Sequence, residues 1–214
     1  METYFSFAML CFTSFITLMN PLGIMPVFMT MTDSLDKEER RRTAKKANIV
    51  AAITLIVFAF SGQLLFKFFG ISVNSFRVVG GIIFFMMGWD MLQAKLVKVK
   101  MNKESVNREY VDDISVTPLA IPMICGPGAI TSAIVLMEDA QTAEMKGIVI
   151  ASILVVTFIG YLVLWSSGKI TVWLGETGNK IMMRLMGLIV MVIAVEFFFS
   201  GLKPILIDML NAKA

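Results

Sequence analysis

Asn20-Pro21-Leu22-Gly23-Ile24-Met25-Pro26 interrupts one apolar stretch, and Pro118-Leu119-Ala120-Ile121-Pro122-Met123-Ile124-Cys125-Gly126-Pro127-Gly128 interrupts another just past the middle of the chain. A proline inside a helix withholds the donor that the carbonyl four residues earlier needs. Pro21 therefore frees the carbonyl of Thr17, Pro26 that of Leu22 and Pro127 that of Met123. Such groups cannot stay unsatisfied in lipid. Non-helical backbone at membrane depth is tolerated only where protein buries it or where it lines a polar cavity. Two such breaks at corresponding points of two halves mark the place where transporters hold their substrate.

The surrounding composition makes lipid the relevant solvent. Of the 214 residues 57% are hydrophobic, the mean hydropathy is +0.79, and the apolar runs approach the length that crosses a bilayer. Six spans are predicted: Tyr4 to Thr32, Asn48 to Phe69, Ile71 to Leu92, Val116 to Met137, Gly147 to Leu174 and Ile181 to Ile207. The first lacks a basic leader and runs past the length of a signal-peptide core, so it is expected to be retained. Cys11 and Cys125, both in apolar surroundings, read as buried thiols without a disulfide framework. Histidine is absent from the chain. No metal site, cofactor, nucleotide-binding loop or catalytic constellation is predicted, so the chain does not read as an enzyme.

Fourteen of the nineteen lysines and arginines fall between spans one and two, three and four, or five and six, counting Lys169 and Arg184 at the span ends that flank the last of these loops. The positive-inside rule then puts loops 33–47, 95–115 and 175–180 in the cytoplasm and both termini outside. The run from Asp36 to Lys46 interleaves acids with its bases. That favours a solvated helix end beside anionic lipid over a nucleic-acid patch.

Three spans per half force related halves into opposite orientations. Pro21 and Pro127 are 106 residues apart, Asp90 and Glu196 106, Arg77 and Arg184 107, and Gly80 and Gly187 107. The expected fold is an all-α membrane protein of two inverted three-helix repeats, residues 1–110 and 111–214, with discontinuous first and fourth helices. Measured from the cytoplasmic span ends at Thr32 and Val116, each break lies about 16 Å deep, near the middle of a core about 30 Å thick.

The candidate substrate site follows from the breaks. Thr17, Asn20, Pro21 and Gly23 flank the first; Gly126, Pro127, Gly128 and Thr131 flank the second. A midplane amide such as Asn20 either braces the break or meets a ligand. The half-helix beginning after Gly126 directs free amides and positive dipole at the gap, which suits a carboxylate; tight packing through small residues is the competing reading. Asp90 reads as an interfacial anchor and Glu196 as a pair for Arg77 or Lys203, and each is a candidate for coupling to a proton or sodium ion.

The two motifs, Asn20-Pro21-Leu22-Gly23 with Pro26 and Pro118-Leu119-Ala120-Ile121-Pro122 with Gly126-Pro127-Gly128-Ala129-Ile130, resemble those of the MarC family of prokaryotic integral membrane proteins. Similarity to its SnatA branch implies a secondary transporter of small neutral amino acids, glycine and alanine, in the cytoplasmic (inner) membrane, with substrate between the two broken helices. A passive channel or exporter would want a continuous polar path, which the phenylalanine-rich spans lack. An accessory or structural membrane protein would not need paired breaks.

Overall fold

A computed structural model of the chain describes residues 2–33, 35–93 and 114–211, and these are helical apart from short turns, without a strand. The boundary expected between residues 110 and 111, and most of the basic stretch 95–115, lie outside the described residues.

The first span, Thr3–Met31, is two helices, α1 (Glu2–Met19) and α2 (Pro21–Met31), joined at Asn20. Pro21 takes the first helical position, where a missing N–H costs nothing. Asn20 adopts a left-handed backbone, φ 41° and ψ 64°, which asparagine tolerates better than most residues. Its carbonyl accepts from Gly23 N at 2.9 Å and Ile24 N at 3.2 Å, and its Oδ1 also accepts from Gly23 N, at 3.2 Å. A β-carbon on Gly23 would run into the Asn20 amide. Nearly all of α2 is buried, including Ile24 to Met29.

The helix α3 (Lys37–Phe69) has 33 residues, about 50 Å at 1.5 Å each. The basic run expected in the loop 33–47 therefore belongs mostly to its first turns. Asp36 caps the backbone of Glu38 and Glu39 while Glu39 reaches back to the Asp36 N–H, a reciprocal box that starts the helix before the apolar stretch. Gly70, at φ 64°, ends it. The next helix, α4 (Val73–Leu92), starts from a Ser72 cap.

The fourth span breaks more sharply. Its halves, α5 (Ser115–Ile124) and α6 (Pro127–Asp139), meet at 61°. In α5, Thr117 and Ile121 have extended backbones, φ/ψ −128°/122° and −124°/122°, because a residue before proline is pushed out of the α region. The segment is consequently wide: Cys125 N bonds Ala120 O, five residues back, at 2.9 Å. A span expected to be broken at Pro127 is thus irregular from Thr117 onward.

The helix α7 (Ala143–Asn211) carries two spans, Ala143–Ser167 and Lys180–Asn211, divided at Gly175, whose φ of 64° and ψ of −178° are non-helical. Gly160 lies against Pro21, and Val190 and Ile193 line a cavity with Asn20, the residue before it. Thirty residues of straight helix would separate 160 from 190 by about 45 Å, so the chain reverses at Gly175. The turn expected at 175–180 begins at that glycine.

The second span of α7 packs antiparallel on α4 along a seam of small residues. A β-carbon on Gly81 would stand 2.8 Å from Ala194 O, one on Gly88 2.8 Å from Gly187 O, and one on Gly201 would meet Asn74 O. The three levels, 74 with 201, 81 with 194 and 88 with 187, repeat every seven residues on both helices, as a coiled contact of close backbones requires. Away from the seam the surface is apolar: Phe60, Leu64 and Phe68 form an exposed stripe on α3, which in lipid is the outer face. Cys11 and Cys125 are free and buried.

Candidate functional site

The Asn20 break opens onto a cavity of about 40 Å³, room for about three waters at 10–15 Å³ each. Asn20 and Gly23 form one wall. Phe84 and Met87 of α4 face Val190 and Ile193 of α7 across it, and Met19, Met91 and Met123 fill the rest. The polar content is thus concentrated at Asn20. Its Oδ1 is engaged by Gly23 N, and no hydrogen bond of its Nδ2 is found among the described residues, so two N–H donors are left for whatever enters.

The two breaks come side by side, but of the second break Met123 alone lines this cavity. A β-carbon on Gly128 would stand 3.1 Å from Leu18 Cδ2 and 3.3 Å from the Phe197 ring, so the ends of α1 and α6 touch. Gly126 is covered by the Phe84 ring and Gly80 by Pro127. Phe84 therefore stands as a partition between the cavity and the start of α6. Behind it, Gly126 caps α6 without any side-chain hydrogen bond, and the hydroxyl of Thr131, 1% exposed, has no partner among the described residues. A buried hydroxyl without an acceptor or donor costs about 1–3 kcal/mol.

Thr17 is exposed on the far face of α1, and Asp90 and Glu196 are exposed on α4 and α7; none of the three lines the cavity. Pro21 is buried at the cavity's edge, against Gly160. One residue that the sequence did not single out joins this region. Asn48 of α3 is 4% exposed, donates to Ala44 O at 2.9 Å, and holds its unpartnered Oδ1 over Gly160. An amide inside the run Ala47 to Ala52 is the signal that could have found it, by the same reasoning that selected Asn20. On the second break the Cys125 thiol donates to Ala120 O at 3.1 Å.

Four of the cavity's eleven lining residues are methionine, an unbranched and polarizable side chain that packs irregular spaces.

A helical bundle with five or six spans, one of them bent at a proline break, and an apolar outer surface defines a multi-pass integral membrane protein. The chain belongs to the MarC family of integral membrane proteins, whose description matches residues 5–206. A UPF0056 membrane protein of Pyrococcus horikoshii is 43% identical to it over 91% of this chain and 94% of the relative. Another, of Methanocaldococcus jannaschii, is 38% identical over 92% and 97%, and one of Buchnera aphidicola is 38% identical over 97% of each. No solved structure matches the chain.

Proposed function

We propose that this protein is a secondary transporter of small neutral amino acids, working by alternating access around the Asn20 cavity in a prokaryotic cytoplasmic membrane with both termini outside. The observation that carries the reading is how the cavity is lined. Adding 106, the offset from Pro21 to Pro127, to Phe84 and Met87 gives Val190 and Ile193, and all four side chains face the same space. The seam contacts favour 106 over the 107 of the Gly80–Gly187 match: 81 and 88 become 187 and 194, so the contact of Gly81 with Ala194 exchanges with that of Gly88 with Gly187. These correspondences support two inverted repeats whose two-fold axis crosses the α4–α7 seam at the cavity, the place where rocking of one repeat against the other exchanges access.

The chemistry fits a zwitterion with little side chain. The space is small, the Asn20 amide offers N–H donors to a carboxylate, and the Thr131 hydroxyl and uncapped α6 start become available once Phe84 swings aside. Ions that couple the cycle, a proton or sodium, have no assigned ligand in this arrangement; Asp90 and Glu196 are too exposed to be buried coordinating groups. Counterflow of radiolabelled glycine and alanine in proteoliposomes, beside larger and charged amino acids, tests the proposal. Saturable exchange of the small neutral substrates alone supports it, and leakage of all solutes at equal rates would identify a passive pore.

A further inference from the structure

A second concavity, of about 430 Å³, lies on the outside of the bundle between α3 and the first span of α7, and Asn48, which packs on Gly160 beside Pro21, forms part of its floor. Its mouth is basic. Arg41 and Lys45 project from successive turns of α3, and Tyr161 faces them from α7. The Tyr161 oxygen accepts from Arg41 Nε at 3.3 Å, which leaves the phenolic proton for another acceptor. Among the described residues no carboxylate lines this space, and no hydrogen bond or ion pair of Lys45 is found.

Deeper in, the outward-facing walls are apolar, with Ile49 47% exposed, Leu154 49% and Phe158 59%, while Asn48 and Thr157 are buried at the floor and donate to carbonyls of their own helices. The helices are antiparallel, so Arg41 meets Tyr161 at one end while Ala52 meets Leu154 about three turns further into the apolar zone. One end thus offers two cations and a hydroxyl donor, and the other an apolar channel open to the surroundings. That order of polarity, along a bilayer normal, is the order of a phospholipid. Arginine and lysine stems lie along apolar surface while their heads reach the phosphate level.

We propose that this groove is a binding site for one anionic glycerophospholipid of the leaflet at the Lys37 end of α3, its phosphate held by Arg41, Lys45 and the Tyr161 O–H and an acyl chain lying along Ile49, Leu154 and Phe158. The net charge at the mouth selects an anionic headgroup over a zwitterionic one, whose own ammonium would meet the two cations. The site also ties the packing of α7 on α3 to lipid composition, since the groove's two walls belong to those helices.

The test is native mass spectrometry of the purified full chain released from nanodiscs, titrated with phosphatidylglycerol or phosphatidylcholine. One phosphatidylglycerol is expected to be retained in preference to phosphatidylcholine. Each basic residue near a membrane surface contributes about fivefold in affinity, so Arg41→Gln with Lys45→Gln should weaken retention about 30-fold. Tyr161→Phe, which keeps the ring and removes the O–H, should weaken it about fivefold. Arg42→Gln, on the same helix but outside the groove, should leave it unchanged. Equal retention by the double variant and the parent overturns the proposal. So does displacement of the lipid by inorganic phosphate at equal concentration, which would assign the mouth to a free anion. A dimer that forms without lipid and is broken by Phe158→Ala would assign the groove to a second copy of the chain, and overturns it too.

Discussion

At Asn20 one residue does two jobs that can be separated. Its left-handed backbone and its Oδ1 hold the break, while its amide group lines the cavity wall with Gly23. Glycine adopts the same backbone freely and costs a cap only a few tenths of a kcal/mol, whereas alanine costs a cap about 0.5–2 kcal/mol and adds about 1–2 kcal/mol for the left-handed backbone. Asn20→Gly is therefore expected to fold within a few tenths of a kcal/mol of the parent and to lose substrate-dependent thermal stabilisation. Asn20→Ala should lose both, with a lower melting temperature in the absence of substrate. Equal substrate response in Asn20→Gly would remove the amide from the site. Asn20 was legible in the sequence because an amide beside a proline in an apolar run has few structural explanations. Phe84, Val190 and Ile193 were not, since an apolar side chain in an apolar span carries no sign of which face it takes; only packing reveals that they converge on one small space.

At the scale of helices, the α4–α7 seam makes the most specific demand on sequence. A β-carbon on Gly187 would stand 2.7 Å from Leu92 N and 2.8 Å from Gly88 O, and backbone on both sides cannot step aside as a side-chain tip does. Gly187→Ala should therefore force the helices apart, at a cost of about 1–3 kcal/mol, and lower the melting temperature measured in detergent. Gly147 is the internal control: nothing lies within 4 Å of its β-carbon position in α7. Gly147→Ala is expected to be neutral or to stabilise by about 0.5–1 kcal/mol, the helix-propensity gain over glycine. If the two substitutions had the same effect, close packing at the seam would not be what Gly187 provides. The spans and both breaks could be read from the sequence because lipid imposes length and proline imposes interruption. The start of α3 could not be read to the residue. Its charged first turns project beyond the apolar stretch, and the Asp36–Glu39 box, not hydropathy, sets where the helix begins.

For the whole molecule, the two-fold relation proposed for the repeats has a consequence that packing alone does not. An axis through the seam exchanges position 84 with position 190, and rocking of one repeat against the other turns one of them toward each side of the membrane. In a background with Cys11→Ser and Cys125→Ser, Phe84→Cys and Val190→Cys should therefore react with a membrane-impermeant thiol reagent from opposite sides. Cys125→Ser keeps a donor for Ala120 O, which the thiol meets at 3.1 Å, so the background is expected to fold. Both single-cysteine positions are at the cavity, and each loses at most the packing of one apolar side chain, about 2–5 kcal/mol for the larger truncations. Saturating glycine shifts the balance of inward- and outward-facing states, because a ligand moves an equilibrium only by its differential affinity for the two. The two labelling rates should then change in opposite directions, one rising as the other falls. Rates that rise and fall together from one side would mean a cavity with a single mouth. In that case the offset of 106 would record an old duplication of sequence without the alternating motion that the transport proposal requires.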